Sequence, residues 1–91
     1  MTVISHPQNA TEEMLHFTRL LIVALVEDPQ AVEVSAISGT FSTTLRVTVA
    51  AADLGKVIGK QGRTARSLRI LIAAAGIRLQ QRFELDIRKI D

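Results

Sequence analysis

Apolar residues recur at three- and four-residue intervals in two parts of the chain and at two-residue intervals in three others. An α-helix repeats every 3.6 residues and a strand every two, so these intervals predict two long amphipathic helices and three strands. The first helix is expected over Glu12–Val26. The second carries a stripe of five positions, Ala65, Leu68, Leu71, Ile72 and Ala75. Strands are expected at Val32–Ile37, Phe41–Ala50 and from Phe83 through Leu85 and Ile87.

The first helix has recognisable ends. Residues 1–11 show no apolar period, so they are predicted to form a flexible leader before a single domain over residues 12–91. Asn9 or Thr11 suits the N-cap position. Asp28 and Pro29 are expected to end the helix, because proline removes a donor and disfavours helical angles in the residue before it.

A short third helix is predicted between the second strand and the second long helix. It covers Leu54–Ile58, with Asp53 as the expected N-cap and Gly59 as the residue that breaks it. Gly76 is expected to end the following helix at the C′ position, where glycine is favoured.

The elements therefore follow the order α-β-β-α-α-β, in an α/β (α+β) fold with a three-stranded mixed sheet packed on helices. The first two strands are close in sequence around Gly39 and are predicted to form an antiparallel hairpin. The last two strands are separated by a crossover of two helices, which predicts parallel pairing with a right-handed connection.

Composition excludes several classes of protein. The chain has 91 residues, 47% of them apolar, enough for one core without metals or disulfides. Cysteine is absent, which suits a reducing, cytoplasmic setting. The longest apolar run, Leu20–Val26, is far short of the ~20 residues that span a bilayer, and no signal peptide is evident. His6 and His16 have no companions at ligand spacing, so both are expected to be exposed, and neither a metal nor a cofactor is predicted.

Charge is concentrated rather than widespread. The formal net charge is only +2, but five basic residues lie within residues 56–69, a window that contains no acid. Within it, Gly59-Lys60-Gln61-Gly62 links two predicted helices. Two glycines allow a tight turn and a close approach of phosphate, and the helix that follows presents free amides to an anion. The alternative is a plain helix–helix connection, in which glycine serves only as a C-cap.

The glycine segment and its flanking residues resemble those of a known family. The run from Gly55 through Lys60, Gln61 and Gly62 to Thr64, with Arg69 further on, resembles the signature of KH domains. It is most similar to the small bacterial KH proteins of the KhpA (YlqC-like) family. The resemblance covers about residues 12–90 and includes the Glu27–Pro29 helix end and the hairpin. It implies the type II KH fold.

The resemblance also implies a function, that of a protein binding single-stranded RNA, often dimeric. In this family the dimer is a homodimer or a heterodimer with a larger KH-domain protein, linked to RNA chaperoning or post-transcriptional regulation in cell elongation and division. The loop would clamp the backbone of about four nucleotides, with Val57 and Ile58 as an apolar wall for the bases. The RNA-binding residues so implied are Lys56, Val57, Ile58, Gly59, Lys60, Gln61, Gly62, Arg63, Arg66 and Arg69.

Other interpretations stay open at this stage. Arg63 and Arg66 also fit a solvated helix face, Arg69 also fits an ion pair with Glu84 or Asp86, and Lys56 also fits an ordinary exposed side chain. The three aromatic residues, Phe17, Phe41 and Phe83, fall at core-phase positions, so aromatic stacking platforms are not expected.

Three other functions compete with RNA binding. Catalysis is poorly supported, because the glycine segment is one residue short of a P-loop and Gln61 stands where Ser or Thr should hold magnesium. A helix-turn-helix DNA-binding module is disfavoured by the strands on both sides. A small dimerising scaffold is the third, with Ile70, Ala73 and Ala74 as candidates for the dimer contact because they fall outside the core stripe.

Overall fold

The computed structural model describes residues 7–91. Three helices and three strands follow the predicted order. They are α1 (Pro7–Val23), β1 (Glu33–Ser38), β2 (Thr43–Val49), α2 (Leu54–Ile58), α3 (Arg63–Arg78) and β3 (Phe83–Lys89). Short 3₁₀ turns occupy Pro29–Ala31, Ala51–Asp53 and Lys60–Gly62. The predicted α+β architecture is confirmed, and the bounds of α2 match the prediction at both ends.

The sheet has the order β1-β2-β3, with β2 in the centre. β1 and β2 pair antiparallel, with Ala36 opposite Leu45, and β2 and β3 pair parallel, with Leu45 opposite Leu85. Both predicted pairings are therefore confirmed. The alternation of side chains along each strand gives the sheet one apolar face and one polar face.

The core lies between the apolar sheet face and the helices α1, α2 and α3. Its largest fully buried apolar side chains come from the sheet and from every helix: Met14 and Ile22 from α1, Leu45, Val47 and Val49 from β2, Val57 from α2 and Ile72 from α3. α1 packs beside β1 and α3 beside β3, and the two helices touch each other. An ion pair between Arg78 and Glu13 joins them at the surface.

α1 is displaced toward the N-terminus relative to its predicted bounds. It begins at Pro7 instead of Glu12 and ends at Val23 instead of Val26. Proline is favoured in the first helical turn because its missing N–H has no helical acceptor there. Residues 7–11 of the predicted leader are therefore helical, and Ala10 among them is fully buried. The rest of the predicted leader, residues 1–6, lies outside the described residues.

The end of α3 corrects the role assigned to Gly76. The helix continues to Arg78, and Gly76 is buried inside it. The left-handed residue that ends the helix is Gln80, at φ 59°. The amides of Gln81 and Gln80 donate to the carbonyls of Gly76 and Ile77 at 2.9 and 3.0 Å, the bonding pattern of a Schellman motif. Gly76 is needed for close packing instead, since a Cβ there would lie 2.7 Å from the carbonyl oxygen of Gln81.

Two apolar residues predicted to be in the core lie at the surface. Leu71 is 46% exposed, because the buried line of α3 runs through Leu68 and Ile72 and Leu71 lies about 100° from Ile72 around the helix. Phe41 is 87% exposed, because β2 begins only at Thr43 and Phe41 belongs to the turn before it. The alternation that suggested a longer strand therefore extends into a turn that does not pair.

Candidate nucleic-acid interface

The loop Gly59–Gly62 joins α2 to α3 and has unusual backbone geometry. Three of its four residues have positive φ, Gly59 at 78°, Gln61 at 57° and Gly62 at 74°. A Cβ on Gly59 would lie 2.2 Å from Thr64 Oγ1 and 2.8 Å from its backbone nitrogen, so only glycine fits. Gly62 has no atom within 4 Å of the Cβ position, so only its φ favours glycine.

Backbone hydrogen bonds hold this loop in shape. The Gly59 amide donates to the Gly55 carbonyl at 2.8 Å, and the Gly62 amide donates to the Gly59 carbonyl at 3.1 Å. No backbone carbonyl of the described residues accepts a bond from the amides of Lys60 or Gln61. The first turn of α3 also has no side-chain cap. The loop therefore combines unpaired N–H groups with the positive end of a helix, and both features attract an anion.

Nearly all the basic side chains around the loop are free to contact a ligand. Lys60, Arg63, Arg66 and Arg69 are exposed, and none makes an ion pair with a described residue. Arg63 donates to the Gln61 side-chain oxygen at 3.2 Å, which orients both side chains over the loop. Lys56 differs, because its Nζ lies 3.5 Å from the carboxylate of Asp53. Lys56 is therefore partly neutralised, which weakens the case for it as a phosphate contact.

Asp53 anchors the segment that leads into the loop. It was expected to cap α2, but its side chain makes no capping bond to the helix. Its two carboxylate oxygens instead accept hydrogen bonds from the amides of Glu27 and Asp28, each at 3.0 Å. The bond from the Glu27 amide, more than any other influence, holds the pKa of the buried Asp53 carboxyl below its usual value. The connection after α1 is thereby tied to the start of α2.

The apolar residues before the loop divide into two roles. Val57 is fully buried in the core, so it offers no surface to a base, which corrects its expected place in the groove wall. Ile58 and Leu54 are half-buried and present part of their side chains at the surface. Ile58 alone of the two predicted wall residues remains available to a ligand.

Arg69 lies farther along α3, where the helix faces β3. With Ala73 it lines one side of an open cleft of about 660 Å³ whose other side includes Arg46, Glu84 and Asp86. The predicted alternative of an ion pair from Arg69 to Glu84 or Asp86 is wrong. Asp86 is engaged by Arg46 at 3.2 Å and by Arg88 at 2.9 Å. Burial works to raise the pKa of Asp86, but these two hydrogen bonds hold it below the usual value.

Of the predicted site residues, Arg69 lines the cleft beside β3, the others belong to α2, the loop or the start of α3, and Val57 is buried. Sequence reasoning missed the anchoring role of Asp53, and it also missed Arg46 and Arg82 as cleft residues. No local signal marks them, since they join the site through strand register and loop packing. His16 is exposed as expected, and His6 lies outside the described residues. Within residues 7–91, no group of metal-ligating side chains occurs, and no helix is long and apolar enough to cross a membrane.

Comparison with known proteins gives a consistent family. A family model described as "KhpA/KhpB, KH domain" matches residues 16–87. The chain is 42% identical over 74 residues to the RNA-binding protein KhpA of Caldanaerobacter subterraneus subsp. tengcongensis, covering 81% of this chain and 99% of the relative. It is 44% identical over 64 residues to the RNA-binding protein KhpA of Clostridium acetobutylicum, covering 70% and 85% of the two chains.

Solved structures show the same fold in a larger protein. The crystal structure of a point variant of Aquifex aeolicus Era bound to GDP.AlF4- aligns with a TM-score of 0.71 at 14% identity. The structure of Era in complex with MgGDPNP and nucleotides 1506–1542 of 16S ribosomal RNA aligns with a TM-score of 0.70 at 13% identity. These alignments cover 98% and 99% of this chain but only 34% and 36% of the Era chains, so the chain spans about a third of the length of Era.

Proposed function

The chain belongs to the KhpA/KhpB family of KH domains, and from this premise we propose that it binds single-stranded RNA by holding the RNA backbone in the loop Gly59–Gly62. The matching family is described by its KH domain and the relatives are named RNA-binding proteins, in agreement with the prediction that the chain is not an enzyme. The observation that carries the proposal is the geometry of the loop. Three residues with positive φ present unpaired amides beside four exposed cations that have no acidic partner among the described residues.

Each part of the loop has a role in this proposal. The glycines let a phosphate approach the backbone closely, and the amides of Lys60 and Gln61 donate to its oxygens. Lys60 and Arg63 supply charge, and Gln61 fixes the position of the Arg63 side chain through their hydrogen bond. Ile58 provides the apolar surface beside which a base lies. About four nucleotides are held in this way, which is the KH mode.

Phosphate contacts make binding sensitive to salt and only weakly selective for sequence. Each phosphate neutralised on a single strand changes the slope of log affinity against log salt by about −0.7. Contacts to the backbone carry no sequence information, and the part of the loop site that faces the bases is small and apolar. We therefore propose modest affinity, with selectivity gained when two modules act together.

A dimer is the second part of the proposal, and the outer face of α3 supports it. Ile70, Ala73, Ala74 and Ile77 are all exposed and follow the i, i+3, i+4, i+7 spacing of a helical contact stripe. Ile70 is 63% exposed and Ile77 is 77% exposed. We propose that this stripe packs against a second copy of the chain or against a larger KH-domain protein.

The cellular part of the proposal follows from the family resemblance. We propose a cytoplasmic RNA chaperone or post-transcriptional regulator that acts with a KH-domain partner in cell elongation and division. The competing candidate is a dimerising scaffold with little affinity for RNA, which the apolar stripe on α3 would equally suit. The helix-turn-helix alternative has less support, because α2 has only five residues and the chain matches a KH family.

Binding of RNA by the purified protein separates these candidates. The variant Lys60→Asp/Gln61→Asp is compared with wild type on a mixed pool of short single-stranded RNA at two salt concentrations. The control Lys89→Asp/Gln30→Asp makes the same change of charge at two exposed residues outside the loop. We expect salt-sensitive binding by wild type and control and its loss in the loop variant, with unchanged circular dichroism.

Two results would contradict the proposal. Equal binding by the loop variant and the control would remove the loop from RNA recognition. Absence of binding in all three proteins, with a dimer present in solution, would favour the scaffold.

A further inference from the structure

The end of the molecule opposite the start of α3 carries an aromatic residue that the fold does not use. The turn Gly39–Ser42 lies beside the segment Gln80–Arg82, because the Thr43 amide donates to the Arg82 carbonyl at 2.9 Å. Phe41, in this turn, is the most exposed of the large apolar side chains described. A single exposed apolar residue is ordinary at a protein surface, so the neighbours of Phe41 decide whether it takes part in binding.

Arg82 connects this aromatic residue to the loop site. A shallow depression of about 310 Å³ is lined by Phe41, Gln80, Gln81 and Arg82 among others. Arg82 also lines the adjoining cleft of about 660 Å³, whose α3 side is Arg69. The two depressions share Arg82 as a lining residue, so they lie next to each other between Arg69 and Phe41.

The arginines of α3 lead from the loop into this surface. Arg63, Arg66 and Arg69 are spaced three residues apart, so each lies about 4.5 Å farther along the helix and about 60° farther around it than the one before. The first of these arginines therefore lies next to the loop, and the last, Arg69, lines the cleft beside β3. Among the described residues, no acid pairs with Arg66, Arg69 or Arg82.

The acids in the cleft do not cancel this charge. Asp86 is shared by Arg46 and Arg88, which neutralise it. Glu84 accepts a hydrogen bond from the Ser42 hydroxyl at 3.2 Å and is the one acid of the cleft lining without a basic partner among the described residues. The cleft therefore keeps an excess of positive charge from Arg69 and Arg82.

We propose that single-stranded RNA held by the loop continues along α3 through the cleft and ends at a second anchor, where Phe41 stacks on a base and Arg82 contacts a phosphate. This inference rests on the proposed function. α3 has 16 residues and is about 24 Å long, so a strand reaching Phe41 is longer than the four nucleotides of a KH clamp. A stacking aromatic accepts any base, so the anchor adds affinity for length instead of sequence.

An RNA strand suits this surface better than a protein helix does. The exposed lining of the route includes Arg69 and Arg82, and Gln80 lies beside the exposed ring of Phe41. Cations and an exposed aromatic ring are the combination found in single-strand binding grooves. A helix-binding groove would instead present several apolar residues around Phe41. The apolar stripe on α3 lies beside the route, with Ala73 at the border of the two surfaces.

Fluorescence anisotropy with two labelled RNAs of mixed sequence tests the proposal. One is about five nucleotides long, just over the length of a KH clamp, and the other about ten. Phe41→Ala and Arg82→Ala are each expected to weaken binding of the longer RNA about five-fold or more and to leave the shorter RNA unchanged. Phe41→Tyr should restore binding. Leu20→Ala, an exposed apolar residue on α1, is the control and should affect neither RNA.

The possible outcomes are distinguishable. If wild type binds both RNAs and the Phe41 and Arg82 variants bind both as tightly as wild type, the second anchor is refuted while the loop clamp stands. If wild type binds neither RNA, the proposed function itself fails. If Phe41→Ala changes the molar mass measured by light scattering instead of RNA affinity, the turn is a protein contact and the proposal is overturned.

Discussion

The two glycines of the loop look equivalent in sequence but differ in the structure, which gives a sharp test. A Cβ at Gly59 would lie 2.2 Å from Thr64 Oγ1, 2.7 Å from Thr64 Cβ and 2.8 Å from the Thr64 backbone nitrogen. The hydroxyl can rotate away, but the Cβ and the nitrogen are fixed by α3. A Cβ at Gly62 would meet no atom within 4 Å. We therefore expect Gly59→Ala to be much more destabilising than Gly62→Ala.

The magnitudes follow from backbone strain and from crowding. Gly59 has φ 78° and ψ 168°, a region essentially restricted to glycine, which costs about 1–3 kcal/mol for alanine. Crowding in a packed site adds about 1–3 kcal/mol. Gly62 has φ 74° and ψ 15°, where alanine costs about 1–2 kcal/mol and no crowding applies. The free energy of unfolding should thus fall by about 2–6 kcal/mol for Gly59→Ala and by about 1–2 kcal/mol for Gly62→Ala.

Urea denaturation followed by circular dichroism measures both effects, provided that the variants keep the wild-type m-value. A double-mutant cycle with Thr64→Ala measures only the share of the crowding that the hydroxyl causes, because the Thr64 Cβ and backbone nitrogen remain in the variant. Thr64→Ala should therefore be less destabilising in the Gly59→Ala background than in wild type. Equal losses of stability for the two glycine variants would refute the reasoning.

Three further predictions concern Asp53, the apolar stripe on α3 and Gly76. Because the pKa of Asp53 is lowered in the folded state, its carboxylate stabilises the fold at pH values above its ordinary titration range. This stabilisation is lost as the pH falls through the folded-state pKa. In urea unfolding, Asp53→Asn should therefore be more destabilising near pH 7 than near pH 3. A difference independent of pH would contradict this. Ile70→Glu/Ile77→Glu should convert a dimer to a monomer in light scattering while leaving the circular dichroism spectrum of the fold unchanged. A monomeric wild type would refute the dimer. Gly76→Ala should lower the free energy of unfolding by about 1–3 kcal/mol, because its Cβ would lie 3.1 Å from the Phe83 ring. This loss should exceed the gain from the higher helix propensity of alanine. If urea unfolding shows a stabilised variant, the end of the helix can relax and the prediction is wrong.

Periodicity predicted the fold well where a single local pattern determines the structure. The element order, the bounds of α2 and the two strand pairings follow from apolar spacing, from Gly59 and from the length of the crossover. The loop residues were found because their glycines and charges are contiguous. Local sequence is sufficient for features of this kind.

The errors arise where long-range packing decides. Asp53 looks like an N-cap, but two amides more than 20 positions away in sequence, those of Glu27 and Asp28, are better placed to bond its carboxylate. Gly76 looks like a C-cap because glycine favours that position, yet it is retained for the close approach of the chain after α3. Phe41 extends the alternation of β2 without a partner strand opposite it. None of these contacts produces a periodic pattern in the sequence.

The parallel pairing of β2 with β3 has a consequence for the kinetics of folding. It joins residues forty positions apart, as with Thr43 and Phe83, whereas β1 and β2 meet through a short turn. Closing such a long segment is entropically slow, so the hairpin and the helices can form first and β3 is expected to pair late. Until then the outer edge of β2, with Leu45 and Val47 beside it, is open to pairing with another chain. Refolding yield should therefore fall with protein concentration, even though the native sheet keeps β2 in its centre.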